Sequence, residues 1–268
     1  MSDRSPNALY AMLRKLGQHV ALSDVETAAL LALPQRRAVY ERSSYFIREG
    51  QANDHVHILL SGYAHRHKIT RKGTRQILTI LLRDDIFDLL DGLEGASDHD
   101  IQALTRCEVA MVPRGALAEC AERFPGIAHA LMRDCLADSA LFRRWMVNLG
   151  RGDARQRVAH LVCELALRQA AAGLGEAPFV PWPLTQEHIA DATGLTSVHV
   201  NRTLQAMRAD RLIETPGQKL RILSWPRLER IADFDGNRLL LQERRSIHQM
   251  LDVASSRRPS EWNRLVRA

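Results

Sequence analysis

Between residues 8 and 33 apolar side chains recur every three or four positions: Leu9, Leu13 and Leu16, then Leu22, Val25, Ala29 and Leu33, up to Pro34. That period predicts helix, and the proline predicts its end. From about 38 to 113 the pattern changes to short apolar runs such as "SYFIREGQ" and "HVHILLSGYAHRHKITRKGTRQILTILL", punctuated by Gly50, Gly62 and Gly73. Turn residues at that interval predict antiparallel strands, folded as a β-sandwich or β-roll. Helical spacing returns over 126–148, where Ile127, Leu131, Cys135, Asp138, Phe142 and Trp145 with Met146 form one stripe. A stripe so long and aromatic needs a cover. The two covers open to it are a second copy of the chain, along a dimer seam, and the β-roll of its own chain.

Residues 150–175 read as a further helix, broken by "AAGLGEAPFVPWP", whose glycines and prolines predict a loop. Two short helices follow. Thr185 is placed to cap the first, with Glu187 at its positive dipole end, and Ile189 and Ala190 face inward. Gly194 supplies a tight turn, and Thr196 or Ser197 caps the second helix. This is the sequence form of a helix-turn-helix. The segment "LIETPGQKLRILSW" then predicts a two-stranded ribbon with Pro216-Gly217 at its tip, Leu220 and Ile222 alternating with Lys219 and Arg221.

In "TGLTSVHVNRTLQAMR", at 100° per residue, Val200, Thr203, Leu204 and Met207 share one face, which must be the buried one. The opposite face carries Val198, Arg202 and Gln205, flanked by Asn201. An exposed valine beside an exposed arginine is a poor solvated surface. It suits a DNA major groove, where a guanidinium can bond guanine O6 and N7 and an apolar side chain can meet the thymine methyl. A helical hairpin with an ordinary polar outside is the bland alternative, and the cationic ribbon that follows argues against it.

Charge adds to this picture. The 268 residues carry 37 basic and 31 acidic side chains, a formal net charge of +6. Positions 1–135 hold 17 of each, so the whole excess lies in positions 136–268, with 20 basic against 14 acidic. A neutral first half joined to a basic second half suits a sensing domain joined to one that meets a polyanion. Cys107, Cys120, Cys135 and Cys163 show no close pairing, which points to a reducing compartment. With no signal peptide or membrane-length apolar run, the expected location is the cytoplasm. No nucleophile with a matched base and no supported carboxylate pair stands out, so no catalysis is expected.

The stretch "LTQEHIADATGLTSVHVNRTLQAMRADRLI" with its ribbon resembles the DNA-binding domain of the Crp/Fnr superfamily of bacterial transcription regulators. "NLGRGDARQRVAHLVCEL" and the β-roll with its long helix extend the resemblance to nearly the whole chain. It implies an α+β chain: a cyclic-nucleotide-binding-like β-roll with an N-terminal helix over 1–125, a dimerisation helix over 126–149, a winged helix-turn-helix over 150–235, and a basic C-terminal tail over 236–268. It also implies a homodimer reading a palindromic site in double-stranded DNA, with the dimer helix represented by Leu131, Cys135, Phe142 and Trp145. RNA polymerase is a further candidate partner. The base-reading positions fall on Ser197, Val198 and Arg202, with Asn201 and Gln205 beside them. Thr185, Gln186, Thr196, His199, Lys219 and Arg221 are assigned to the DNA backbone. Arg202 matches the family's arginine, whereas Val198 stands where familiar members carry glutamate, so a different base, plausibly thymine, is expected there.

The sensory half departs further from the pattern. Cyclic-nucleotide-binding members carry a Gly-Glu-Leu stretch and an Arg-Ser or Arg-Thr pair that holds the phosphate. Here Phe87-Asp88-Leu89 replaces the first, and the arginine position falls on or near Ser97, beside Asp98. Adjacent Asp98 and Asp100 would repel a phosphate, so neither cyclic AMP nor cyclic GMP is expected to bind. Oxygen-sensing members hold an iron–sulfur cluster with cysteines mostly near the N-terminus, and none here precedes residue 107. No cofactor is expected, although haem on a histidine stays open, and the effector is unknown. "SDHDIQAL" is similar to a segment in members lacking the nucleotide signature, with Asp98-His99 as its Asp-His pair; the expectation is that His99 bonds a backbone group in the roll. The competing function class is a cupin-like metal protein. It would use His55 and His57 with His65 and His67, two imidazoles on one face of each of two neighbouring strands. The alternative for these histidines is a solvated strand face.

Overall fold

The predicted N-terminal helix is two helices, α1 (Leu9–Gly17) and α2 (Asp24–Leu31), in the computed structural model, which describes residues 7–89, 95–174 and 179–236. The break falls where Ser23 takes an N-cap. Its hydroxyl accepts from the Glu26 N–H while the Glu26 carboxylate accepts from the Ser23 N–H, a reciprocal capping box. The chain divides into two compact units between Ala140 and Leu141.

The first unit is a roll of two antiparallel sheets. One orders β1 (Arg36–Tyr40), β8 (Cys107–Pro113), β3 (His55–Ser61) and β6 (Ile86–Phe87); the other orders β2 (Tyr45–Ile47), β7 (Asp100–Ala103), β4 (Ala64–Ile69) and β5 (Arg75–Leu81). Leu59, Phe87, Val109 and Met111 of the first sheet share one core with Ile47, Ala64, Leu81 and Ile101 of the second. Val56, Ile58, Ala110 and Val112 join a separate core with Leu9, Met12 and Leu16 of α1 and with Ile127 and Leu131. Strands β3 and β8 are thus buried on both faces, which is why they read as continuous apolar runs. Gly62 carries the chain from one sheet to the other at φ +88°, and a Cβ there would meet the Arg106 carbonyl at 2.3 Å. Both the backbone angle and the space demand glycine.

After α3 (Arg114–Arg123), α4 (Pro125–Arg151) runs across the unit boundary. The stripe expected to meet a second chain is turned inward. Ile127, Leu131 and Trp145 are buried within the protomer, and Cys135, Asp138 and Phe142 are half-buried. The exposed apolar side chains are Met132, Leu136, Met146 and Val147. With Ser139, Arg143 and Gly150, all exposed, residues 132, 136, 139, 143, 146 and 150 alternate steps of four and three, the spacing of a coiled-coil seam.

In the second unit α5 (Ala154–Ala171) is the central helix, capped by Asp153 and buried from Val158 to Leu167. Its Glu164 is fully buried, accepting from Trp145 Nε1 at 2.5 Å and from Arg168 at 3.2 Å. α6 (Gln186–Thr193), α7 (Ser197–Ala209) and α8 (Trp225–Ala232) complete the helices. The ribbon has three strands, not two. β11 (Lys219–Ile222) pairs with β10 (Ile213–Glu214) and also with β9 (Phe179–Pro181), which comes from the segment predicted as loop. Val180 is buried opposite Leu220, and Pro181 is tolerated because β9 is an edge.

Candidate nucleic-acid interface

Local sequence explains how the two helices of the second unit are presented. Thr185 Oγ1 accepts from the His188 N–H, and His188 Nδ1 accepts from the Thr185 N–H, both at 3.2 Å. This capping box uses an imidazole in place of a carboxylate. Because Nδ1 accepts, the neutral ring carries its proton on Nε2. α6 ends at Gly194 in the left-handed region, φ +64°. Arg157 of α5 donates to the Thr193 carbonyl at 3.1 Å and to the Gly152 carbonyl at 2.9 Å, tying the turn to the central helix. Thr196, rather than Ser197, caps α7, accepting from the His199 N–H.

The inner face of α7 is Val200, Thr203, Leu204 and Met207, all buried as expected. On the outer face Val198 is 73% exposed, with Ser197, His199, Arg202 and Gln205 exposed around it. Thr185, Gln186 and Thr196 are exposed as well. Asn201 is half-buried, and its Nδ2 donates to Gln186 Oε1 at 3.1 Å, joining α7 to α6. Lys219 is exposed, its ammonium 5.9 Å from the centre of the Phe179 ring. Arg221 is half-buried and 3.5 Å from Glu214, so part of its charge is compensated inside the ribbon.

Two arginines absent from the sequence reading belong to this region. Arg208 donates to Thr215 Oγ1 at 2.8 Å, and Arg211 sits exposed at φ +52°. Both line a groove between the end of α7 and the ribbon, with Ile213, Glu214, Thr215 and Pro216. The "QAMRADRLI" spacing held the signal, but only the packing of the ribbon onto α7 gives these side chains a common groove.

Residues 156–231 match the family described as a Crp-like helix-turn-helix domain, and residues 37–124 match the cyclic nucleotide-binding domain. The chain belongs to the Crp/Fnr family. It is 29% identical over 204 residues to the transcriptional activator protein FnrL of Cereibacter sphaeroides, covering 74% of this chain and 81% of that one. It is 27% identical to the nitrogen fixation regulation protein FixK of Azorhizobium caulinodans, covering 78% and 82%. The FixK2 structure from Bradyrhizobium japonicum superposes with a TM-score of 0.70 at 22% identity, covering 76% of this chain and all of that one. This Crp/Fnr chain is therefore a DNA-binding transcription regulator, and its relatives are regulators rather than enzymes. Among the described residues no helix is long and apolar enough to cross a membrane.

Four residues of the expected effector pocket, Asp88, Ser97, Asp98 and His99, come together around His99. Phe87 is buried and stacked on His57, ring centres 5.2 Å apart. Asp88 is buried at φ +60°, accepting from Asn53 Nδ2 at 2.7 Å. Ser97 is buried, donating to the His99 carbonyl. Asp98 is exposed, 3.4 Å from Lys68. The His99 imidazole, for which a backbone partner was expected, lies between two carboxylates, Nδ1 2.8 Å from Asp98 and Nε2 3.4 Å from Asp88. Burial pushes the Asp88 carboxyl up, but the His99 and His57 imidazoles beside it outweigh that, and the net direction is down. Burial pushes His57 down to about 4. Residues 90–94 of the matching region lie outside the described residues.

The histidine pairs do not converge. β3 and β4 belong to different sheets, and His57, His65 and His67 are buried rather than solvated. His55 is half-buried and pairs with Asp54. The turn at Gly62 separates what strand order alone would have placed side by side. Among the described residues no group of three or more His, Cys, Asp or Glu is placed to hold a metal.

Proposed function

We propose that this regulator works as a homodimer on a palindromic DNA site, with the outer face of α7 in the major groove of each half-site. The observation that carries this is the exposure of Val198 beside Arg202 on a helix whose opposite face is buried. Ser197, Val198 and Arg202, with Gln205, face the base edges. Thr185, Gln186, Thr196, His199, Lys219 and Arg221 position the phosphates. Arg202 reads a guanine, and Val198 meets a thymine methyl. The exposed seam of α4, Met132, Leu136 and Met146, is the surface a second copy would cover. RNA polymerase is the further partner this reading implies.

Cyclic nucleotides are not the signal in this reading, because Asp88, Asp98 and Asp100 crowd the region that would receive a phosphate. Calorimetry with cyclic AMP and cyclic GMP checks this: no heat is expected, and micromolar binding overturns it. The regulator reading is tested by selecting bound duplexes from a random library at fixed salt. The wild type is expected to recover a palindrome with half-sites about one helical turn apart. Val198→Glu is expected to change the base preferred at one position per half-site; an unchanged selected site would remove Val198 from base reading.

A further inference from the structure

A hydrogen bond from Asn201 Nδ2 to Gln186 Oε1, 3.1 Å long, joins the outer sides of α6 and α7. Gln186 is exposed at the first position of α6 and makes no other hydrogen bond among the described residues, so its NH2 group is left to meet a partner. A carboxamide is ambivalent, with an oxygen that accepts and a nitrogen that donates, whereas a phosphate oxygen only accepts. An untethered glutamine at a DNA backbone must lose rotamer freedom on binding and must also turn the correct end outward. Engaging its oxygen removes both costs. The reverse orientation, with Gln186 donating to Asn201 Oδ1, would turn the glutamine oxygen toward the phosphates and repel them.

We propose that Asn201 is a positioning residue that acts through Gln186, fixing its carboxamide so that the NH2 group donates to a DNA phosphate, and that Asn201 reads no base itself. This rests on the assignment of the α7 face to DNA. Half-burial of Asn201 fits it: Arg202 and Gln205 stand free on the outer face, while Asn201 is turned toward α6. One residue thereby links the helix that reads bases to the helix that grips the backbone, and the cost of ordering Gln186 is met during folding.

The test is a double-mutant cycle on the full-length protein, with affinity measured by titrating the duplex that the wild type selects. Asn201→Ala is expected to weaken binding about three- to ten-fold with Gln186 present, and to have no effect in a Gln186→Ala background. Asn201→Asp, which accepts only and so turns the glutamine oxygen outward, is expected to cost more than Asn201→Ala with Gln186 present. The same change in the Gln186→Ala background isolates the cost of the added charge. Both positions lie at the surface, and unchanged thermal unfolding identifies variants that fold. Losses that add across the two positions, or an altered base preference for Asn201→Ala in a random-library selection, would overturn the proposal and make Asn201 a base reader. A wild type that selects no sequence at all would overturn the DNA-face assignment, and this proposal with it.

Discussion

The roll and the α7 side of the second unit handle ionisable side chains in opposite ways, although α5 of that unit buries His160 and Glu164. In the roll, His57, His65, His67, His99, Asp88 and Asp100 are all buried, and Asp88 and His99 meet one another. In the winged helix-turn-helix the core under α7 is apolar around Val200, Leu204 and Met207, and the cations on the outer side of α7 and the ribbon, Arg202, Lys219 and Arg221, stand in solvent or pair weakly. The difference follows from what each must do. A surface that meets a polyanion keeps its donors unspent until the partner arrives, since desolvation and pairing beforehand would cancel their attraction. A roll that fills its interior with carboxylates and imidazoles spends those groups on itself, and its stability becomes tied to protonation.

The sharpest way to break the comparison is to damage the dry core. Met207 is fully buried on the inner face of α7, so Met207→Ala is expected to cost ~2–5 kcal/mol of unfolding free energy. Denaturant titration measures it, and DNA affinity should fall with it. The next effect is a dependence on pH, to which the buried His57 of the roll contributes most plainly. With His57 held at about 4 against 6.5 for the ordinary imidazole, the unfolded chain takes the proton first as pH falls. Stability is then fully present above pH 6.5 and is lost progressively down to about 4, by ~3 kcal/mol in all. Asp88, also held down, loses stability in the same direction, whereas burial raises Asp138, which titrates in the opposite sense. His57→Leu should flatten the acid limb of a stability-against-pH curve; an unchanged limb would assign it to other groups.

Smaller effects belong to the DNA face. Arg202→Ala is expected to lose ~1–3 kcal/mol of discrimination at one base pair per half-site, read as relaxed preference there in a selection from random duplexes. Lys219→Ala should weaken all sequences alike and reduce the slope of log affinity against log salt by about 1. Sequence-selective loss on removing Lys219 would place it at a base edge instead.

Much of the reader was legible along the chain because its information is local. Thr185 and Thr196 cap, Gly194 turns, and a 100° step separates Val200, Thr203, Leu204 and Met207 from Val198 and Arg202. Periodicity showed less of the long helix. It found the stripe through Leu131 and Trp145 but could not say what covers it, and the stripe packs inward on its own protomer. The exposed seam through Met132, Leu136 and Met146 is broken by Ser139 and Arg143, so it carries little apolar signal. The third ribbon strand was hidden by its prolines, since Phe179–Pro181 becomes a strand only when Leu220 offers Val180 a partner.

The sequence by itself determined the helix-turn-helix, the alternation of the ribbon, the antiparallel roll and the family to which they belong, because each rests on residue spacing within one element or on turn chemistry between neighbours. Tertiary structure alone decided which stripe of α4 is buried, that His57 and His65 lie in separate sheets, that His99 stands between Asp98 and Asp88, and that Asn201 is tied to Gln186. These are contacts between elements distant along the chain. Their partners are chosen by packing, which the period of a pattern does not encode.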